Sequence, residues 1–383
     1  MSEYQYYEFQ TVDRPLTRRE MDELRALSTR ATITPTRFQN VYHWGDFKGR
    51  PLDLMKQYFD AFVYVANWGT HHFMLRLPRG LFDPGKAQTF AVTEAFNVHT
   101  TDDHVILEFL SHDDEGIDWV DDEESEGWMP ALLSLRAELL GGDTRALYLG
   151  WLAGLATDEV DEQDQEPPIP AGLGQLSAAL QTLAEFLRID GDLLATAAVR
   201  SASRPPGPSA AELQRWITEL PLGEKDTLLL QLAGNAPAAQ AQLQQRLRQA
   251  NARPEAAKPG GVRAVGKLLA AAEERAAVRK REEAARAAAE RERRERAAAI
   301  ARAKHLDSLV GREQELWRQI DELIEVKRSK EYDQALRLLV DLDDLSIRRD
   351  DVEDFRDRLR ALRERYATRR ALLDRLSGAG LLE

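Results

Sequence analysis

The first 112 residues alternate apolar and polar positions in short runs bounded by Pro, Gly and Asp. YQYYEFQTV (4–12) is aromatic and β-branched and predicts a strand. Thr17-Arg-Arg-Glu20 has the spacing of a capping box and predicts a helix reaching about Ser28. RFQNVYHW (37–44) predicts a second strand. PLDLMKQYFDAFVYVANW (51–68) begins with Pro and carries Leu54, Tyr58, Phe62 and Val65 near helical spacing, which predicts one helix. HFMLRL (72–77) predicts a third strand stopped by Pro78, and AFNVHTTDDHVILEFL (95–110) a hairpin turning at TTDD. This mixture predicts an α+β domain.

From residue 128 the pattern turns helical: MPALLSLRAELL, TRALYLGWLAGLA, LGQLSAALQTLAEFLRI and GDLLATAAVR are apolar segments with short breaks. They predict helices appended to the sheet, giving a first domain over 1–200. ASRPPGPSAAE (202–212) is a linker ending in a second capping box, Ser209 to Glu212, which opens a small helical module over 209–250. After NARPEAAKPGG (251–261) a long charged helix is predicted over 263–304. A C-terminal helical bundle follows over 306–383. Its apolar faces are Leu316, Ile320, Leu323 and Ile324; then Leu336, Leu339 and Leu342; then Phe355, Leu359 and Leu362.

The charged segment changes the picture most. Ala, Arg and Glu are strong helix formers, and Glu282–Arg286, Glu290–Arg294 and Glu292–Arg296 stand at i,i+4. Between Val278 and Ile300 no apolar side chain exceeds Ala, so the knobs of a sustained heptad coiled coil are missing. The 13 bases and 7 acids of 263–304 are interleaved without aromatic platforms, which argues against strong nucleic-acid binding. The segment reads as a spacer. Its counterpart is 101–166, with 20 acids and 2 bases, concentrated in HDDEGIDWVDDEESEG (112–127) and TDEVDEQDQEPP (157–168). These runs lack the spacing of a calcium loop. They read as solvated loops, as a docking surface for a basic partner or for the chain's own helix, or as weak divalent-cation binders.

Composition narrows the chemistry. The 383 residues carry 52 bases, 65 acids and no cysteine, which removes disulfides and thiolate sites and fits a cytoplasmic protein. Neither a signal peptide nor a membrane span is expected. Six of seven histidines, His43, His71, His72, His99, His104 and His112, fall in the first 112 residues, yet no HExxH, GxSxG, Walker or GxGxxG motif accompanies them. No cofactor, metal or catalytic residue is assigned.

MSEYQYYEFQTVDRPLT, ATITPTRFQNVYHWGDFKG, FDAFVYVANWGT, RAELLGGDTRALYLGWLAGL and EPPIPAGLGQLSAAL resemble an uncharacterised bacterial protein family, a resemblance that implies no reaction. ARAKHLDSLVGREQELWRQIDELIEVKRSKEYDQALRLLVDLDDL is similar to the helical tail of SWIM zinc-finger proteins. The zinc-binding cysteines of that finger are missing here. The resemblance implies an interaction or structural tail, with neither zinc nor DNA binding.

These features favour a non-enzymatic adaptor or scaffold that binds other proteins in the bacterial cytoplasm. Two other classes stay open: an accessory or switch of a defence or stress system controlled by a partner protease, and a metal-dependent hydrolase using the His-rich domain. The candidate partner contacts are Trp119 and Trp128 beside the acids, Trp317 in the bundle, and the basic stretch with Arg358, Arg360, Arg363, Arg365, Arg369 and Arg370.

Overall fold

The computed structural model describes residues 4–113, 122–157, 159–204, 209–233, 243, 246 and 263–381. They divide into two compact units, Met1–Val278 and Arg279–Glu383.

The first unit is built on an antiparallel sheet of order β2-β3-β1-β4-β5-β7-β6, comprising β1 (Gln5–Gln10), β2 (Thr32–Ile33), β3 (Arg37–Tyr42), β4 (Ala61–Ala66), β5 (Thr70–Pro78), β6 (Phe96–Thr100) and β7 (His104–His112). One face buries Phe9, Phe38, Phe62, Met74 and Ile106 with Leu24 of α1 (Arg18–Leu27) and Leu54 and Met55 of α2 (Pro51–Gln57). The opposite face buries Val63, Val65, Phe73, Leu75, Leu107 and Phe109. They pack with α4 (Asp122–Leu133), α5 (Leu135–Leu140), α6 (Arg145–Ala153), α7 (Ala178–Phe186) and α8 (Gly191–Ala198). A short α3 (Pro84–Gln88) follows β5 and, like β2, has no counterpart in the sequence reading. Both capping boxes form: Thr17 with Glu20 opens α1, and Ser209 with Glu212 opens α9 (Ala210–Glu219), which α10 (Leu222–Ala233) follows.

One expectation fails. Residues 51–68 are not a single helix: α2 ends at Gln57 and 61–66 form β4. Because helices cover both faces of β4, it is apolar at both parities, and the period-2 signal disappears. Asp60 marks the break. Its fully buried carboxylate accepts the Val12 and Asp13 amides at 2.6 and 2.9 Å and the Arg76 guanidinium at 2.9 and 3.0 Å. Arg76 also donates to the Met55 carbonyl at 3.1 Å, satisfying one of the last carbonyls of α2.

The long helix α11 (Val265–Leu309) is continuous, as its propensity predicts, and ends five residues beyond the expected boundary. The second unit packs the end of α11 with α12 (Glu313–Glu325), α13 (Ser329–Arg349), α14 (Val352–Arg365) and α15 (Arg370–Gly378). Leu316, Ile320 and Ile324, then Leu339 and Leu342, then Phe355, Leu359 and Leu362 are buried as the apolar spacing predicts; Leu323 and Leu336 are half-buried. Leu306 and Leu309 share that core, which is why α11 extends past Lys304.

Candidate interaction surfaces

The long helix enters the first unit through a dense polar joint. Glu166 accepts Arg263 at 2.6 and 2.7 Å and the Tyr148 hydroxyl at 2.5 Å, while the Glu166 amide donates to the Arg263 carbonyl at 2.9 Å. The Val265 and Gly266 amides donate to the Asp164 and Glu162 carbonyls, so residues 162–166 use their main chain to satisfy the first turn of the helix. Val265, Leu268 and Ala272 then join the core. The second acidic run therefore docks the chain's own helix. Burial, then the Glu166 carboxylate, push the Tyr148 hydroxyl above its ordinary range against the opposing pull of Arg263, leaving it a neutral donor.

In the second unit the same helix is held by Arg302, which reaches both Asp341 and Asp344, and by His305 at 2.9 Å from Asp341. Between these anchorages residues 279–299 are exposed, Glu290 excepted. Glu290–Arg294 closes at 2.9 Å and Glu292–Arg296 closes as well, joined by Arg279–Glu283 at 3.0 Å. Among the described residues Glu282–Arg286 does not close.

The proposed partner contacts separate into several groups. Trp119 lies outside the described residues. Trp128 is half-buried, with its ring 5.2 Å from Phe186 and 6.1 Å from His71, so it fills the core edge and does not stand out among the acids. Trp317 is likewise half-buried, 5.8 Å from the Phe355 ring. Arg358 pairs with Asp354 at 2.9 Å, Arg360 with Asp357 at 3.0 Å and Arg365 with Asp321 at 3.0 Å. Arg369 pairs with Glu325 at 3.1 Å, donates to the Ile324 carbonyl and stacks 4.6 Å over Tyr366. Arg363 and Arg370 are exposed and, among the described residues, carry no ion pair.

Among the described residues two other tryptophans are exposed: Trp44 is 66% exposed and Trp68 44%. Gln5 of β1 pairs with Tyr42 on one side and Ala66 on the other, so both tryptophans follow strands that end at the same edge of the sheet. At about 4.8 Å per strand, those two strand ends lie roughly 10 Å apart. Each tryptophan precedes a left-handed glycine, Gly45 at φ 76° and Gly69 at φ 86°. A Cβ on Gly69 would come within 2.1 Å of the Asp113 carbonyl oxygen. The Gly69 carbonyl accepts the Asp113 amide at 3.0 Å and Arg188 at 2.9 Å, and the Asn67 amide donates to the Tyr4 carbonyl at 3.1 Å. Gln5 holds the Gly45 carbonyl at 3.1 Å, and Arg30 lies 5.5 Å from the Trp44 ring centroid. The repeated Trp-Gly dipeptide was the legible signal for these turns.

Five of the six histidines in the first 112 residues have side-chain neighbours. His71 lies 2.8 Å from the Phe186 carbonyl, His112 lies 3.3 Å from the Thr70 hydroxyl, and the His43 ring sits 5.9 Å from Tyr4. His72 and His99 lie 2.8 and 2.7 Å from the two oxygens of Glu108, joining β5, β7 and β6 across one face of the sheet. Burial raises the Glu108 pKa, but the two imidazoles outweigh it and hold the carboxyl at about 2. Among the described residues no group of three His, Asp or Glu side chains is placed to hold a metal ion. No helix among them is long and apolar enough to cross a membrane.

No protein-family model, curated protein or solved structure matches this chain.

Proposed function

We propose that this chain is a non-enzymatic adaptor that holds two protein partners in the cytoplasm, one on each unit. The observation that carries the reading is the long helix, uninterrupted from Val265 to Leu309, with one end in each of two separate hydrophobic cores. A helix kept this long without an apolar face of its own contributes connection rather than core. The rigid turns beneath Trp44 and Trp68 supply one contact surface. Tryptophans presented at low entropic cost are characteristic of binding hot spots. Arg363 and Arg370 supply a second, since they are exposed, carry no ion pair among the described residues and can meet acidic groups on a partner.

The test is affinity capture from the native host with the full chain, a Trp44→Ala/Trp68→Ala variant and an Arg363→Glu/Arg370→Glu variant. Each variant should lose a different partner and keep the other. Loss of the same proteins from both, or of none, would sink the adaptor reading.

A further inference from the structure

We infer that the Trp68 turn is a docking point for an arginine-rich segment of a partner protein, with one guanidinium stacking on the indole. The inference names the chemistry of one partner and rests on the adaptor reading. Trp68 is 44% exposed, and among the described residues no ring or guanidinium stacks on it. Its backbone is held on both sides. Before it, the Asn67 amide donates to the Tyr4 carbonyl at 3.1 Å, and the Asn67 side chain accepts the Tyr4 amide at 3.0 Å. After it, the left-handed Gly69 leaves no space for a side chain, since the Asp113 carbonyl oxygen would lie 2.1 Å from a Cβ. A ring presented on a fixed backbone loses little entropy when a partner covers it.

The first acidic run is fastened at both ends to the residues that flank Trp68. At one end the Asp113 amide donates to the Gly69 carbonyl at 3.0 Å. At the other, Tyr4, already bonded to Asn67, donates its hydroxyl to the Ser125 Oγ at 3.1 Å. Residues 113–124 hold eight acids and no Lys or Arg, so a net charge of −8 is tied to this turn. Arg188 donates to the Gly69 carbonyl at 2.9 Å and to the Ser111 hydroxyl at 3.3 Å, which offsets one charge of the eight. A guanidinium suits both features at once: its plane stacks on the indole, and its N–H groups donate to carboxylates. An acidic segment is repelled. The chain makes the first half of this contact itself, with Arg30 5.5 Å from the Trp44 ring centroid. Trp44 therefore has its cation from within the chain, and Trp68 is left to take one from a partner.

The probe is a short fluorescein-labelled peptide of alternating Arg and Ser, with Lys and Glu versions beside it, titrated with the full chain and read by anisotropy. The Arg peptide should bind in the micromolar range at about 0.05 M salt and roughly tenfold more weakly at about 0.3 M. The Lys peptide should bind several-fold more weakly than the Arg peptide, and the Glu peptide not at all. Trp68→Ala should weaken Arg-peptide binding by about fivefold, and Trp68→Phe should recover part of the loss. Asp114→Asn with Glu115→Gln and Asp118→Asn should weaken it at low salt and much less at high salt. Far-UV circular dichroism checks that each variant is folded, and the charge variant leaves the turn itself unaltered. No binding of the Arg peptide, binding indifferent to both Trp68 substitutions, or binding indifferent to the neutralising changes would each overturn the inference. If the Trp44→Ala/Trp68→Ala variant loses a partner in affinity capture while the Arg peptide fails to bind, the adaptor reading stands and the basic partner is wrong. Peptide binding with no partner lost in capture removes the adaptor reading and keeps the site.

Discussion

At the scale of single residues, Asp60 and Arg76 form the joint most sensitive to change. Asp60 is fully buried, so losing its guanidinium leaves a carboxylate facing two amides and no cation. Arg76→Met should destabilise the first unit by about 3–5 kcal/mol, read as a fall in its urea midpoint. Glu108 predicts a pH dependence. Its folded pKa, about 2, lies below the ordinary 4.5, so its stabilisation is complete above about pH 4.5. That stabilisation is lost as pH falls from there through about 2. Glu108→Gln should be less stable than the parent at pH 6, and the difference should shrink toward pH 2 in chemical denaturation. Residue roles were legible where they follow local rules, as at Thr17 with Glu20, and illegible where they depend on tertiary placement. Trp128 beside an acidic run looks exposed in sequence, yet Phe186, 58 positions away, covers it. Nothing near Asp60 in sequence announces Arg76.

At the scale of elements, the same contrast explains which segments were read correctly. The long helix was legible because its stability is intrinsic: helix-forming residues and i,i+4 charges act locally. Its true end was not, since Leu306 and Leu309 belong to a core assembled from residues up to 75 positions later. The misread 51–68 segment is the reverse case. Leu54, Tyr58, Phe62 and Val65 imitate a helical face while two covering layers erase the strand's alternation. Proline at Ala288 tests the helix itself. Ala288→Pro should cost about 3 kcal/mol of local helix and lower far-UV ellipticity, with the thermal transitions of both units unchanged. Collapse of either transition would show that the exposed middle is needed by a core.

At the scale of the whole molecule, charge is divided unevenly along the chain. Residues 1–278 hold 26 bases and 41 acids, and residues 279–383 hold 26 bases and 24 acids, so the net charges are −15 and +2. Phosphate binding through counterion release needs a clustered positive surface, and most arginines of the second unit's basic stretch are engaged with carboxylates. Fluorescence anisotropy at about 0.15 M salt should find no duplex or single strand bound tighter than micromolar. A steep, sub-micromolar isotherm would return the long helix to the class of nucleic-acid arms. The architecture was legible as an order of parts, α+β first and helices after. The division between units was not, because Val265, Leu268 and Ala272 commit the start of the long helix to the first core.

That commitment has a consequence for how the chain is made. Helix formation is limited by its first turn, after which each added residue extends an existing ladder. During synthesis the sheet unit emerges first, and residues 162–166 are ready to seize the amides of Val265 and Gly266 as they appear. The helix can then grow one residue at a time, and Leu306 and Leu309 arrive already in helical register before α12 to α15 exist. On this order the bundle would condense on a formed strut instead of nucleating its own. Ala288→Pro, neutral for the finished units, should therefore slow acquisition of structure around Tyr332 and Tyr366 on refolding, a lag that pulse-labelling hydrogen exchange would time.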